Sequence, residues 1–451
     1  MVRNIKLAAA IAAVLSAGSA LASQPSPASA AAPAVGLYVA GSSAAKNAIL
    51  VGLEADLCAN SYSLFSSTGN TNFFAVSCTP SSTTGLPSAN SSNVFTVWYR
   101  DEGGSVVGAL PLVSGSQINQ LSLSGAAGSA GSYTVAVGGS SATNGIDDSF
   151  TGGVSKQTVQ FGITDVEPGA LIKNNYPSAY KTSVYGSATS TALSKLSATS
   201  IFDQVFGIFV NTNSSVFSAP QKADQGKATS TGALSLSKQT IGNILSGTGS
   251  VDWSLEPDVN GNAVGSSSLP IVIVNREQGS GSRTATDIFF TNDECIAKQS
   301  PILESTGGTA DYFSTGNVLA AANTVPGSIT YASIDNAGSY ANLTLVAVDG
   351  VAPSNLAAAS GAYGDWFEAT GVTGSNYSSL SADQQGLITY LISTFQTEST
   401  APGAVDVLAN PLYNAPSLPI SGTASVNSGK TIYINPFSRG GISCNDPAIQ
   451  L

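Results

Sequence analysis

The stretch LPIVIVNREQGSGSRTATDIFF, Leu269 to Phe290, passes from an apolar, β-branched run through a Gly/Ser turn into a segment that can coil. A short apolar run of this composition reads as a buried strand. A small-residue turn before helix formers reads as a helix start. The junction therefore predicts an α/β unit. It also carries chemistry, because Arg276 stands just before Gly279-Ser280-Gly281-Ser282. The first turn of a helix presents unpaired N–H groups and the positive end of its dipole, and glycine lets a ligand approach the backbone. That combination suits an anion.

The same pattern recurs along the chain. A strand over Val35–Ala40 meets the turn Gly41-Ser42-Ser43, followed by a helix with Ile49, Leu50, Leu53 and Leu57 on neighbouring turns. A strand over Val94–Tyr99 runs into RDEGGS, and TVQFGITDVEP reads as one strand that delivers Thr164 and Asp165 before a helix start. Gln204–Asn211, GSITYASI and LTLVAV read as further strands. SLSKQTIGNILSGTGSVDW reads as an amphipathic helix ended by Gly247, and SADQQGLITYLISTF as a capped late helix. Strands alternating with helices predict an α/β fold with largely parallel sheets, and no 20–50-residue period suggests a solenoid. The Ser/Gly-rich stretch of about 113–156 reads as an exposed, β-like insertion. In open α/β sheets ligands sit beyond the carboxyl ends of strands. Each strand-end motif alone reads more often as an ordinary cap than as a ligand site, and Arg276 alone most often as a solvated or ion-paired arginine. Their joint occurrence distinguishes this chain.

Composition narrows the function. The chain has 451 residues, enough for two domains, and a formal net charge of −11, which disfavours nucleic acid or an anionic membrane as partner. A small anion in a cleft remains compatible, because distant surface charges are screened over ~10 Å at 0.1 M salt. There is no histidine, which removes Ser–His–Asp triads, HExxH zinc sites and imidazole bases. No GxSxG elbow or phosphate-loop lysine motif occurs either. An enzyme is disfavoured, and no cofactor or metal site is expected.

Residues 1–22 read as a cleaved signal peptide, with Arg3 and Lys6, an apolar stretch from Leu7 to Leu15, and Ala20-Leu21-Ala22 at the cut. Residues 23–34, rich in Pro, Ala and Ser, read as a disordered spacer. No cysteine lies near the cut, so no lipid anchor is expected, and no later run is long and apolar enough to span a membrane. The mature protein is expected in the periplasm or secreted, not embedded in a membrane. Four cysteines suit an oxidising destination. Of three pairings, Cys58–Cys78 with Cys295–Cys444 is preferred, the first closing a short polar loop and the second tying the C-terminal tail to the middle of the chain.

In the order of its motifs the chain resembles the phosphate-binding proteins of ABC transport systems, within the two-lobed periplasmic binding-protein superfamily (type II). AGSSA resembles that family's opening turn, FGITD its FGxSD element, and REQGSGS its R-x-D-G-S-G-T element. IGNILSGTGSVDW, GSITY and VDGVAPS are similar to later family segments. The resemblance implies two α/β lobes closing on an oxyanion, most simply phosphate, in the cleft between them. Lobe 1 would comprise residues 35–205 with 335–451, and lobe 2 residues 206–334. The crossings would fall near Phe206–Asn211 and Gly327–Ile334. It implies as ligand residues Ser43, the N–H of Ala44, Ser105 or the N–H of Gly104, Asp165 as proton acceptor, and Arg276, Ser280, Gly281 and Ser282 from the second lobe. It further implies a monomer delivering its ligand to an ABC transporter permease. Gln278 stands where the family has an acidic residue, which bears on selectivity against sulfate. The competing expectation is a secreted structural or adhesive surface protein that keeps the scaffold without the ligand.

Overall fold

The computed structural model describes residues 24–59, 61–80, 84–90, 92–138, 148–172, 190–219, 221, 234–292, 295, 301–396, 407–408, 423–427, 430–433 and 437–449. The signal segment lies outside them. The described residues open on a short helix α1 (Pro27–Ala31) capped by Ser26. This corrects the expected disordered spacer. Ala30 is buried, and the carbonyls of Pro25 and Ala30 accept from Ser63 and Thr96, so the sheet holds the segment down.

Next come β1 (Val35–Gly41), α2 (Lys46–Gly52, continued by a π-helical turn to Leu57), β2 (Tyr62–Gly69), β3 (Phe73–Cys78) and β4 (Phe95–Arg100). They are followed by α3 (Ser105–Ser114), β5 (Gln117–Leu121), β6 (Ala127–Ser129), β7 (Ser132–Val137), β8 (Val154–Thr158) and β9 (Phe161–Thr164). The strands β9, β1 and β4 lie side by side and parallel, so their carboxyl ends share one edge. Helix α3 lies hard against this trio. A Cβ at Gly162 would come within 1.7 Å of the Gly108 carbonyl oxygen, so only glycine permits the approach that sets the start of α3 beside the strand ends.

The longest strand, β10 (Ser197–Asn211), joins two hydrophobic cores. Its Ile201 and Phe202 pack with Leu37, Leu53, Phe95 and Leu387 in the first core. Its Val205, Ile208, Phe209 and Val210 pack in the second, with Trp253, Ile329, Tyr331 and Trp366. The second body is built from β11 (Ser235–Leu236), α4 (Lys238–Leu245), β12 (Val272–Ile273), α5 (Gly281–Thr286, continued by a π-helical turn to Thr291) and α6 (Thr315–Ala322). It continues through β13 (Ser328–Ser333), β14 (Leu343–Leu345), β15 (Ala347–Val348) and α7 (Asn355–Ala359). Strand β16 (Trp366–Thr373) then runs back along β10 into the first core, where α8 (Ala382–Gln396) packs. Disulfides join Cys58 to Cys78 and Cys295 to Cys444. Among the described residues no helix is long and apolar enough to cross a membrane.

Three further sequence expectations are corrected. The fold is mixed α/β, not largely parallel: β10 pairs antiparallel with β13, β14 and β16, and β3 pairs antiparallel with β2 and β4. The chain returns to the first body at Trp366, not at Gly327–Ile334. Strand β13 is the antiparallel neighbour of β10, and residues 343–363 still contribute to the second core. TVQFGITDVEP does hold the expected strand, β9, which ends at Thr164 and delivers Asp165, and Gln160 just before it pairs with the Tyr38 backbone through both its N–H and its side-chain oxygen. The Ser/Gly-rich stretch is β-like as expected and exposed over Ala127–Ser129, but it is not exposed throughout. Ile118 packs beside α3, and Leu121, Leu123, Val135 and Val137 are buried against Phe65, Phe73 and Trp98.

Candidate anion site

Three chain segments reach the shared edge of β9, β1 and β4. After β1 the backbone N–H of Ser42 bonds the Ile163 carbonyl (2.8 Å), which turns the chain toward β9, and the Tyr99 hydroxyl donates to the Ser42 carbonyl (2.6 Å). After β4 the Gly103-Gly104 turn starts α3 at Ser105. After β9 comes Asp165, whose backbone N–H donates to the Ser105 hydroxyl oxygen (3.0 Å). From the second body, the turn after β12 supplies Arg276, and Ser280 caps α5 by accepting from the Arg283 N–H (3.3 Å).

These segments meet. Asp165 is 1% exposed, and its two carboxylate oxygens accept from Ser42 on one side and from Ser282 of the second body on the other (3.1 Å). The N–H of Val106 donates to the Gly279 carbonyl (3.0 Å), and that of Gly103 to the Phe313 carbonyl (3.3 Å). Gly281 lies so close that a Cβ there would stand 2.2 Å from the Ser105 hydroxyl oxygen and 2.7 Å from the Asp165 Cβ. Arg276 is likewise 1% exposed. Its Nε donates to the Tyr312 carbonyl (3.0 Å), Nη1 to the Thr315 hydroxyl (3.0 Å) and Nη2 to the Phe313 carbonyl (3.4 Å), while the Glu277 carboxylate stands 3.4 Å from Nε and Nη2. The Ser43 hydroxyl accepts from the Thr315 N–H (3.1 Å) and is hydrogen-bonded to the Thr315 hydroxyl (3.0 Å).

Of the residues singled out in the sequence, Ser43, Ser105, Asp165, Arg276, Gly281 and Ser282 thus lie in one buried cluster spanning both bodies, with Ser280 capping the α5 turn within it. Ala44 sits behind this group, its carbonyl accepting from Gln204 of β10 (2.6 Å). Three contributors were not singled out: Ser42, Glu277 and Thr315. Gln278 does not face Arg276. It donates outward to Glu304 (3.1 Å), and the carboxylate beside the guanidinium belongs to Glu277.

Electrostatics follow from burial. Burial pushes the Asp165 carboxyl above its ordinary range, while the Ser42 hydrogen bond and Arg276 pull the other way. Burial pushes Glu277 up to about 7 against the opposing Arg276, and Glu102 beside the Gly103-Gly104 turn also to about 7. The site therefore sets one guanidinium and several hydroxyls beside carboxyl groups whose protonated form burial favours. Such an arrangement suits an anion that itself bears a proton. Among the described residues no group of three or more His, Cys, Asp or Glu is placed to hold a metal ion.

No family model matches the chain, and no curated protein sequence matches it. Among solved structures the chain is similar to a putative phosphate ABC transporter substrate-binding protein with bound phosphate from Clostridium perfringens, at 13% identity and a TM-score of 0.46 over 83% of this chain and 99% of that one. An ABC-type phosphate transport receptor from Vibrio cholerae aligns at 12% identity and 0.41 over 82% and 97%. A phosphate-binding protein from Stenotrophomonas maltophilia aligns at 13% and 0.39 over 81% and 84%.

Proposed function

We propose that this protein is an exported solute-binding protein that captures a proton-bearing inorganic oxyanion, phosphate above all, between its two bodies. One observation carries the reading: segments far apart in sequence bring Asp165, ringed by the hydroxyls of Ser42, Ser105 and Ser282, into the same buried cluster as Arg276. A buried anion needs nearly every lone pair met by a donor, and Arg276 with the Ser43, Ser105, Ser280 and Ser282 hydroxyls and the N–H groups of Ala44 and Gly281 supplies them. Asp165 accepts the proton of monohydrogen phosphate. Fully ionised sulfate has no proton to give and meets repulsion, so selectivity rests on a penalty against the wrong ligand. Export by residues 1–22, a monomeric state and delivery to a membrane permease belong to the same reading and are drawn from the sequence motifs.

Arg276→Ala is the direct test. The variant is expected to lose phosphate binding by at least about 100-fold, the worth of charge-assisted hydrogen bonds in a dry site. It should keep the wild-type circular dichroism, because Glu277, pushed up to about 7 by burial against the opposing Arg276, takes up a proton when that partner is removed. Phosphate affinity equal to that of wild type would refute the site.

A further inference from the structure

We propose that Thr315 is a positioning residue of this site, whose hydroxyl couples contact between the two bodies to the aim of Arg276 and Ser43; the inference rests on the anion-binding reading above. Thr315 opens α6 in the second body, while Ser43 follows β1 in the first, 272 residues away in sequence. Both residues are buried. The Thr315 hydroxyl oxygen accepts from Arg276 Nη1 (3.0 Å) and is bonded to the Ser43 hydroxyl (3.0 Å), while the Thr315 N–H donates to Ser43 (3.1 Å).

Donor and acceptor counting fixes the charged end of this chain. A guanidinium can only donate, so the Thr315 oxygen accepts from Arg276; it keeps one proton and a second lone pair, and in the proposed arrangement that proton goes to Ser43. Ser43, accepting twice, is left with its proton free to donate to an anion. The bonds polarise one another from the charged end toward the ligand. When the two bodies part, Arg276 loses this partner relay to Ser43 and the Ser43 hydroxyl loses both of its donors. Contact between the bodies and the aim of the Ser43 proton are thereby coupled.

The test uses full mature protein with inorganic phosphate as the probe. Thr315→Val keeps the shape and removes the hydroxyl. It is expected to weaken binding about tenfold, the worth of one buried hydrogen bond, mostly through faster dissociation. Thr315→Ser restores the hydroxyl and is expected to bind within about twofold of wild type on the same grounds. In ligand-free protein, the melting-point shifts of Ser43→Ala and Thr315→Val should be non-additive in the double variant. Wild-type affinity in Thr315→Val, or failure of Thr315→Ser to restore it, would overturn the proposal. If wild type itself takes no phosphate, the anion reading fails separately. The ligand-free cycle then decides the coupling alone, and additive shifts would overturn it.

Discussion

Asp365 is 1% exposed, and neither of its carboxylate oxygens accepts a hydrogen bond. It precedes Trp366, where the chain re-enters β16, and its carbonyl accepts from the Phe206 N–H of β10, so it sits at the junction of the two bodies. Burial pushes its carboxyl up to about 7, with Arg439 and Lys238 opposing the shift. A raised folded-state pKa means that the native state prefers the protonated acid. The associated stability is complete below the ordinary value of 3.8, falls as pH rises toward about 7, and is gone above it. The loss is on the order of 4 kcal/mol at most, at 1.36 kcal/mol per pKa unit. Asp365→Asn should therefore grow in stability relative to wild type as pH rises from 4 to 8. Urea unfolding of both proteins at several pH values measures this, and a difference that stays constant across the range would contradict it.

At the scale of elements, the turn between β12 and α5 packs closely against the strand ends of the first body. Gly281→Ala adds a Cβ that would lie 2.2 Å from the Ser105 hydroxyl oxygen and 2.7 Å from the Asp165 Cβ. Real Cβ atoms do not tolerate such distances, so the turn and the strand ends must separate. Helical backbone at this position accepts alanine, so the cost falls on the approach of the bodies. The expected result is phosphate affinity reduced by about 100-fold or more, given how steeply misplacement of donors is felt, with a melting point within a few degrees of wild type. Calorimetry and thermal melting measure the two quantities, and unchanged affinity would show that the bodies need not meet here.

The elements also show what was legible beforehand. Each strand end that supplies Asp165, Ser105 or Ser282 has a local signature, an apolar run followed by small residues, and local signatures can be read one at a time. Thr315 has a signature only as part of a capped helix, and Ser314 does cap it, accepting from the Asn317 N–H (3.3 Å). Its relation to Ser43 and Arg276 exists only after folding. Glu277 was hidden differently: the sequence places it next to Arg276 but cannot say that Gln278 turns away toward Glu304. Strand direction was misjudged because an apolar run looks the same in parallel and antiparallel ladders. The return crossing was missed for a related reason. LTLVAV gives no mark of which body it joins, and the Val346 N–H settles the matter by bonding the Ile208 carbonyl of β10 (2.9 Å).

For the whole molecule, two cores share the β10–β16 pair, and the donor cluster lies where the bodies face each other. On the proposed function this junction takes up a proton-bearing oxyanion. Calorimetric titration of phosphate into mature protein, stripped of bound ligand by unfolding and refolding, tests it most directly, with sulfate as competitor. The account predicts saturable 1:1 phosphate binding that excess sulfate leaves unchanged, because only an anion that donates a proton to Asp165 is accommodated. No heat with either anion would contradict the claim and favour a surface protein on the same scaffold.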